Sequence, residues 1–299
     1  MKVTITGGAG YIGSVLCEEL LHSGHEATVL DNFRHGVPSL NHLCYKTALK
    51  VVRGDVRIDS RLNACIADCD IIIPLAGIVG MGECLKDQTA AITTNYLAIK
   101  DLCNATGARV IFPNTNSGYG ISGESICTEE SPLQPISLYG QTKCDAEQEI
   151  VERGNYTVFR LATVFGMSPR MRWDLMVNDF VYRAVKDRAM VLFEPHFRRN
   201  FIHVRDVARA FIWALEYPDI SNNQVYNLGN DDANMTKMEL ALKIKERTEF
   251  HPLVDNFAQD PDKRDYNVSS QKLISAGFKP IYSVEYGIDE LIKGVQQFV

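Results

Sequence analysis

Tyr139 and Lys143 stand four residues apart in Tyr139-Gly140-Gln141-Thr142-Lys143, which on a helix puts a phenol and an ammonium on one face. A free tyrosine, with a pKa near ~10, is a poor base at neutral pH. A neighbouring ammonium favours the phenolate, so the spacing predicts a pair that takes the proton from a hydroxyl group. Thr115, in Asn114-Thr115-Asn116-Ser117-Gly118-Tyr119-Gly120, offers a hydroxyl that would orient the same oxygen; the alternative is an ordinary turn threonine. Alone, Tyr-x-x-x-Lys arises as readily by chance as by function. Its weight depends on what surrounds it.

Far upstream, Gly8-Ala9-Gly10-Tyr11-Ile12-Gly13 fits GxGxxG, and Gly7, Gly10 and Gly13 also fit GxxGxxG. The motif follows the β-rich run Lys2–Thr6 and opens a helical stretch, Tyr11–His22. In that context backbone N–H groups and the helix dipole hold a pyrophosphate, which glycine lets approach closely. Asp31 closes the next strand, where a carboxylate accepts from the adenosine ribose hydroxyls and repels the extra phosphate of NADP. NAD is therefore the expected cofactor. Asp55, after the following strand, is placed to meet the adenine or simply to cap the strand end. With NAD in place, its positive nicotinamide ring would join the ammonium in favouring the Tyr139 phenolate while hydride leaves the same substrate carbon.

The elements that must position these groups alternate. Strands are expected at Lys2–Thr6, Glu26–Leu30, Leu49–Gly54, Asp70–Leu75, Arg109–Pro113 and Thr157–Leu161. Helices are expected at Tyr11–His22, Ser60–Ala67, Thr89–Thr106 and about Tyr139–Arg153. The run Ile71-Ile72-Ile73 reads as a strand buried on both faces. Such alternation predicts an α/β fold, a Rossmann-type doubly wound parallel sheet with a smaller C-terminal substrate-binding lobe. Composition changes after Gly166: helices are expected at Leu175–Lys186 and Val204–Glu216, and a strand at Gln224–Leu228. The expected division is an NAD-binding domain over 1–165, with segments near 199–229 returning to it, and a substrate lobe made mainly of 166–299.

Composition narrows the partners. The 299 residues are 45% hydrophobic and 23% charged, ordinary for a globular chain with a substantial core. A net charge of −6 gives no reason to expect nucleic acid or a membrane surface. No apolar run approaches the ~20 residues of a membrane span, and the early glycines interrupt any signal-peptide core. The eight cysteines show neither CxxC pairs nor zinc-like spacing with histidine, and are expected as free thiols. His196 and His203 lack neighbouring carboxylates, so no metal is expected. Asn-x-Ser/Thr triplets at Asn104, Asn155 and Asn267 have no secretory signal to give them meaning, and the cytoplasm is the simplest location.

Thr6–Gly13, Asp31, Thr115 with Tyr119-Gly120, and Tyr139-xxx-Lys143 resemble the extended short-chain dehydrogenase/reductases, the NAD-dependent epimerase/dehydratase family of nucleotide-sugar enzymes. Arg160–Gly166, Arg199–Asp206 and the closing Ala276–Pro280 resemble it too, so the likeness spans almost the whole chain. It implies catalysis by Thr115, Tyr139 and Lys143. It also implies cofactor contacts at Gly7, Gly10, Tyr11, Ile12, Gly13, Asp31, Asn32, Asp55, Val56, Leu75, Ala76, Gly77, Asn95, Tyr139 and Lys143. The family habit of pairing helices near Thr89–Thr106 and Tyr139–Arg153 between subunits implies a homodimer.

Departures narrow the chemistry. Members that eliminate water carry Asp-Glu directly after the catalytic threonine, whereas this chain has Asn116 and Ser117, an amide and an alcohol that do not readily do that proton work. Many 4-epimerases carry Asn where Thr163 stands, and His where Pro74 stands. Pro113–Gly120, Arg160–Gly166 with Ser168–Arg172, Val177–Phe180, His196–Asn200 and Asp260–Tyr266 are similar to the GDP-D-glycero-α-D-manno-heptose 4-dehydrogenases of bacterial capsule synthesis. In that subgroup NAD oxidises the C4 hydroxyl to a ketone; 4-epimerization through the same ketone is the alternative. Non-catalytic NAD sensing on the same fold is a third reading, disfavoured by the intact Thr115, Tyr139 and Lys143. A nucleotide diphosphate needs cationic donors, and arginine suits phosphate. The expected substrate contacts are Asn116, Ser117, Thr163, Arg170, Arg172, Asn178, Arg199 and Arg264, with Arg170 and Arg172 alternatively solvated loop charges. Arg198 and Arg205 read as ordinary surface or helix charges.

Overall fold

The computed structural model describes residues 1–255, 264–297 and 299, excepting the side chains of Asp59 and Glu124. The first part alternates β1 (Lys2–Thr6), α1 (Tyr11–His22), β2 (Glu26–Asp31), β3 (Leu49–Arg53), α2 (Asp59–Ile66), β4 (Ile71–Pro74), α3 (Met81–Lys86), α4 (Gln88–Ile92), α5 (Ala98–Ala105) and β5 (Arg109–Thr115). It continues with β6 (Ile121–Cys127), α6 (Leu138–Arg153), β7 (Tyr156–Leu161) and β8 (Thr163–Phe165). Then come α7 (Met176–Lys186), β9 (Ala189–Phe193), β10 (Arg198–His203), α8 (Val204–Glu216), α9 (Pro218–Ser221), β11 (Gln224–Leu228) and β12 (Asn230–Thr236). The chain closes through α10 (Lys237–Lys245), β13 (His251–Asp255), β14 (Asp265–Val268), α11 (Gln271–Ser275) and α12 (Val284–Val295).

Seven parallel strands form one sheet in the order β11-β7-β5-β4-β1-β2-β3. The fold is the doubly wound α/β arrangement that the alternation predicted. β4, with Ile71, Ile72 and Ile73, is buried along its length because helices cover both faces. On one face Val15, Leu16 and Leu20 of α1 meet Val207, Phe211 and Ala214 of α8 across Ile5, Ile73 and Phe159. On the other, Leu62 and Ile66 of α2, Ile99 and Leu102 of α5, and Ala146 and Ile150 of α6 pack over Ile72, Val110 and Phe112. Each fully buried aliphatic or aromatic side chain here contributes roughly 1.5–3 kcal/mol against exposure.

Strand order reverses between β1 and β4, so a crevice opens beyond their C-terminal ends, the position where such sheets hold ligands. The other wall of that crevice is a second layer with its own apolar core, centred on Phe165, Val177, Phe201, Leu240 and Ile288. It is framed by the small sheets β12-β10-β8, β13-β9 and β14-β6. Although β11 falls between elements of this lobe in sequence, it pairs with β7 at the edge of the main sheet.

One expected element is built differently. The single helix foreseen over Thr89–Thr106 is α4, a π-helical stretch at Thr93–Leu97, and α5. Asn95 lies in the π stretch, with Oδ1 accepting from Ile78 N at 2.8 Å and Nδ2 donating to Ile78 O at 2.9 Å. A wider helical turn there brings an inward amide to a loop it could not otherwise pair with, a common use of such stretches near sites.

Candidate active site

β1 ends at Thr6, and the chain turns at Gly7 with φ at 72° before α1 begins at Tyr11. Only glycine suits this turn: a Cβ on Gly7 would stand 2.5 Å from Ala76 N, and one on Gly13 would stand 2.6 Å from Gly7 O. α1 has no side-chain cap and no acidic residue in its first turn, so its N–H groups face outward at a positive helix end. Asp31 serves the same turn, accepting from Ala9 N at 3.0 Å and Phe33 N at 2.7 Å. Further lone pairs on its carboxylate oxygens remain for other donors.

Two adjoining hollows share Gly7, Gly10, Leu75, Ala76 and Gly77. The smaller, about 520 Å³, is also lined by Asp31, Asn32, Asp55 and Val56. Asp55 is clamped by Arg57 at 2.7 Å; that hydrogen bond above all holds its carboxyl at about 2. The larger, about 710 Å³, runs past Tyr11, Ile12, Gly13 and Asn95 to Thr115, Tyr139 and Lys143. A glycine turn that a Cβ would fill, an uncapped helix end and an acceptor carboxylate one strand away form a cradle that fits a dinucleotide.

Thr115 is the last residue of β5, facing the cleft beside α6. Its hydroxyl accepts from Ser117 N at 3.1 Å and donates to Ser117 Oγ at 3.0 Å. Ser137 caps α6, its Oγ accepting from Gly140 N at 3.1 Å, and so fixes the turn that carries Tyr139. Lys143 follows one turn later, with Nζ 3.9 Å from the centre of the Phe112 ring. Both side chains are half-buried at the cleft wall.

Without NAD, the proton affinities of the two groups run against the expected lowering of the phenol by the ammonium and the nicotinamide ring together. Burial pushes the Tyr139 phenol up to about 12; the cations that oppose this most are Arg172 and Arg264, and the Thr115 hydroxyl also opposes it. Burial likewise pushes Lys143 down to about 7, with Glu147 acting in the opposite sense. In the protein alone, desolvation is the largest influence on both groups.

Beneath this floor lies a polar network that sequence reading missed. Glu147 is 5% exposed and bridges to Arg160, 6% exposed, at 2.6 Å. Asn114 donates to the same carboxylate, while its Oδ1 accepts from Thr115 N at 2.8 Å. Arg160 also donates to the Tyr119 hydroxyl at 3.0 Å, which donates to Asn227 at 2.6 Å. In the sequence, Glu147 falls one helical turn beyond Lys143, and Asn114, Tyr119 and Arg160 lie in the Asn114–Gly120 and Arg160–Gly166 motifs without any sign that they meet. Arg34, His35, Ile78, Glu83 and Asp174 also line the cleft and carried no motif.

On the opposite wall the structure brings together Ser117, Thr163, Arg170, Arg172, Arg199 and Arg264. Arg199 is 1% exposed, stacks 5.7 Å from the centre of the Tyr266 ring, and donates to the carbonyls of Arg198 and Arg264. Arg264 donates to Ser117 Oγ, and Arg172 pairs with Asp174. Two expected substrate contacts do not line the cleft. Asn178 is fully buried on the inner side of α7, where its amide serves Gly166, Tyr11 and Arg172. Asn116 is also fully buried, and neither of its amide atoms has a hydrogen-bond partner among the described residues. Of the expected stretch 260–266, residues 260–263 lie outside the described residues.

Arg198 is exposed, and Arg205 lies 3.6 Å from Glu290. His203 is fully buried at the start of α8: Nδ1 accepts from Arg205 N at 3.3 Å, which leaves Nε2 to donate to Glu290 at 2.9 Å. No group of three His, Cys, Asp or Glu that could hold a metal occurs among the described residues. All eight cysteines are free thiols, and no described helix is long and apolar enough to cross a membrane.

Residues 3–229, which run from β1 past β11, match the NAD dependent epimerase/dehydratase family. The chain belongs to that family. NAD is its cofactor, and its chemistry is of the nucleotide-sugar epimerase/dehydratase type. It is 27% identical to UDP-glucuronic acid decarboxylase 1 of Arabidopsis thaliana, over 98% of this chain and 69% of that protein. It is 26% identical to UDP-glucose 4-epimerase of Corynebacterium glutamicum, over 79% of this chain and 78% of that one. The crystal structure of the Thermus thermophilus UDP-glucose 4-epimerase complex with NAD aligns over 100% of both chains, with a TM-score of 0.84 and 25% identity.

Proposed function

We propose that this protein oxidises the C4 hydroxyl of a nucleotide sugar to a ketone, with GDP-D-glycero-α-D-manno-heptose as the first substrate to try, in the synthesis of a surface polysaccharide. One observation carries the reading. Thr115, Tyr139 and Lys143 share the cleft floor, while Asn116 and Ser117 stand where elimination would need an acid and a base. NAD, when bound, supplies the hydride acceptor. Thr115 holds the reacting oxygen by hydrogen bonding, and Tyr139 takes its proton. Arg172 and Arg264 favour the phenolate by their charge. Arg199 and Arg264 receive the diphosphate, and Arg170 and Arg172 complete the cationic wall. In this reading NAD lies on residues 1–165 with the returning 199–229 segments, and the nucleotide sugar on the rest.

A second reading, 4-epimerization through the same ketone, is favoured by the likeness to UDP-glucose 4-epimerases. The two differ in electron balance. Incubation with UDP- and GDP-sugars, the heptose included, in deuterated water distinguishes them. Oxidation leaves a 4-keto sugar and one equivalent of reduced nicotinamide; epimerization leaves an inverted sugar and no net reduction. Dehydration products would defeat both.

We also propose a homodimer through α4, the π-helical stretch, α5 and α6, on which Ile92, Leu97 and Val151 are exposed. A cytoplasmic location accords with eight free thiols.

A further inference from the structure

The stretch from residue 166 to 175, between β8 and α7, has no regular structure, yet it carries Arg170 and Arg172 to the cleft. Such a loop holds a cation in place only through its anchors. Three of them run to the first turn of α1. The Tyr11 hydroxyl donates to the Gly166 carbonyl at 2.7 Å. Ser168 Oγ donates to the Tyr11 carbonyl at 2.7 Å and lies 3.0 Å from Ser14 Oγ. Asn178 closes the bracket: Oδ1 accepts from Gly166 N at 3.0 Å, while Nδ2 donates to the Tyr11 hydroxyl at 3.2 Å and the Arg172 carbonyl at 2.9 Å. Tyr11, Ser14, Ser168 and Asn178 are all buried. Burial holds the Tyr11 phenol well above its ordinary value, so it remains a donor at every working pH. A further tie runs from Met167 N to Glu290 of α12, at 2.8 Å, and the Trp173 ring lies 5.3 Å from that of Tyr182 on α7.

We propose that Tyr11, Ser168 and Asn178 are positioning residues that couple the cofactor turn to the arginine loop, so that NAD and the nucleotide sugar each raise the other's affinity. The proposal rests on the reading above, in which Arg170 and Arg172 meet the nucleotide sugar. Its physical basis is shared ordering. NAD on the α1 turn restrains one side of the bracket, and a ligand on the arginines then loses less freedom when it binds. Linkage makes the effect reciprocal.

Trp173, between Arg172 and Asp174, reports on the loop, whereas Trp213, the other tryptophan, is buried in the core at 8% exposure. Acrylamide quenching of tryptophan fluorescence is measured with and without saturating NAD, and UDP and GDP are titrated calorimetrically under the same two conditions. In the native protein NAD is expected to lower quenching of Trp173 and to tighten nucleoside diphosphate binding by about five- to tenfold, a usual size for coupling between sites. In Ser168→Ala, NAD still binds, but the protection disappears and the affinity ratio falls toward one. Tyr11→Phe, which removes one oxygen, produces the same loss. NAD-dependent protection and an affinity ratio that persist in both variants would overturn the coupling. If Arg172→Ala leaves UDP and GDP binding unchanged, the substrate reading of the loop fails instead, and protection of Trp173 then decides the coupling alone.

Discussion

At the cofactor end of the cleft, Gly7, Gly10 and Gly13 sit in one turn and the start of one helix. At the cationic end, Arg170 and Arg172 come from an irregular loop, Arg199 from β10, and Arg264 from the residue before β14. The first site is shaped by backbone packed so closely that side chains are excluded. The second is assembled from long side chains held by partners distant in sequence, such as Tyr266 beneath Arg199 and Ser117 beside Arg264. A contiguous site fails when one atom is added; an assembled site fails when a supporting contact is removed. Tyr139 and Lys143 lie where the two meet, and their proton affinities respond to both.

The largest expected effect is at that junction. Tyr139→Phe should lower turnover by ~10²–10⁴-fold while NAD still binds, because only the proton acceptor is lost. Steady-state turnover beside NAD titration checks this; normal turnover would remove Tyr139 from its role. Next comes the contiguous end. Gly13→Ala puts a Cβ against Gly7 O and should weaken NAD binding by about 1–3 kcal/mol through displaced backbone, with little change at the arginines. Equal losses of NAD and nucleoside diphosphate affinity would show that the two ends are less separate than described.

The smallest effect is a pH dependence of stability in the NAD-free protein. Lys143 titrates at about 7 when folded, against ~10.4 in an unfolded chain, so the unfolded state binds more protons in between. Stability should therefore rise with pH across that window and be lowest below it. Tyr139 adds the opposite limb. With a folded value of about 12 against ~10 unfolded, its contribution is present below pH ~10 and is lost above it. Thermal melts of Lys143→Met across this range should lose the rise and keep the fall. A rise retained in that variant would assign the titration elsewhere.

Much of the fold was legible because its signals are local. Apolar runs such as Ile71-Ile72-Ile73 demand burial on both faces, and helix periods separate the strands. The short strands β6, β9, β12, β13 and β14 were not legible. β9 and β13 are partly exposed and depend on a distant partner, so neither carries enough apolar pattern to declare itself. The glycine turn, Asp31, Thr115, Tyr139 and Lys143 could be read for the same local reason. Asn178 is expected as a substrate contact only by the resemblance of Val177–Phe180, and that resemblance does not say which side of α7 faces inward to Tyr11.

The sequence by itself therefore determined the doubly wound frame, the dinucleotide turn and the phenol–ammonium pair, since each depends on residues within a few positions of one another. Tertiary structure alone decided which arginines share the cleft, that Glu147 and Arg160 underlie it, and that burial sets Tyr139 and Lys143 far from their ordinary values. Desolvation and long-range pairing depend on everything packed around a group, and no short stretch of chain encodes that surrounding.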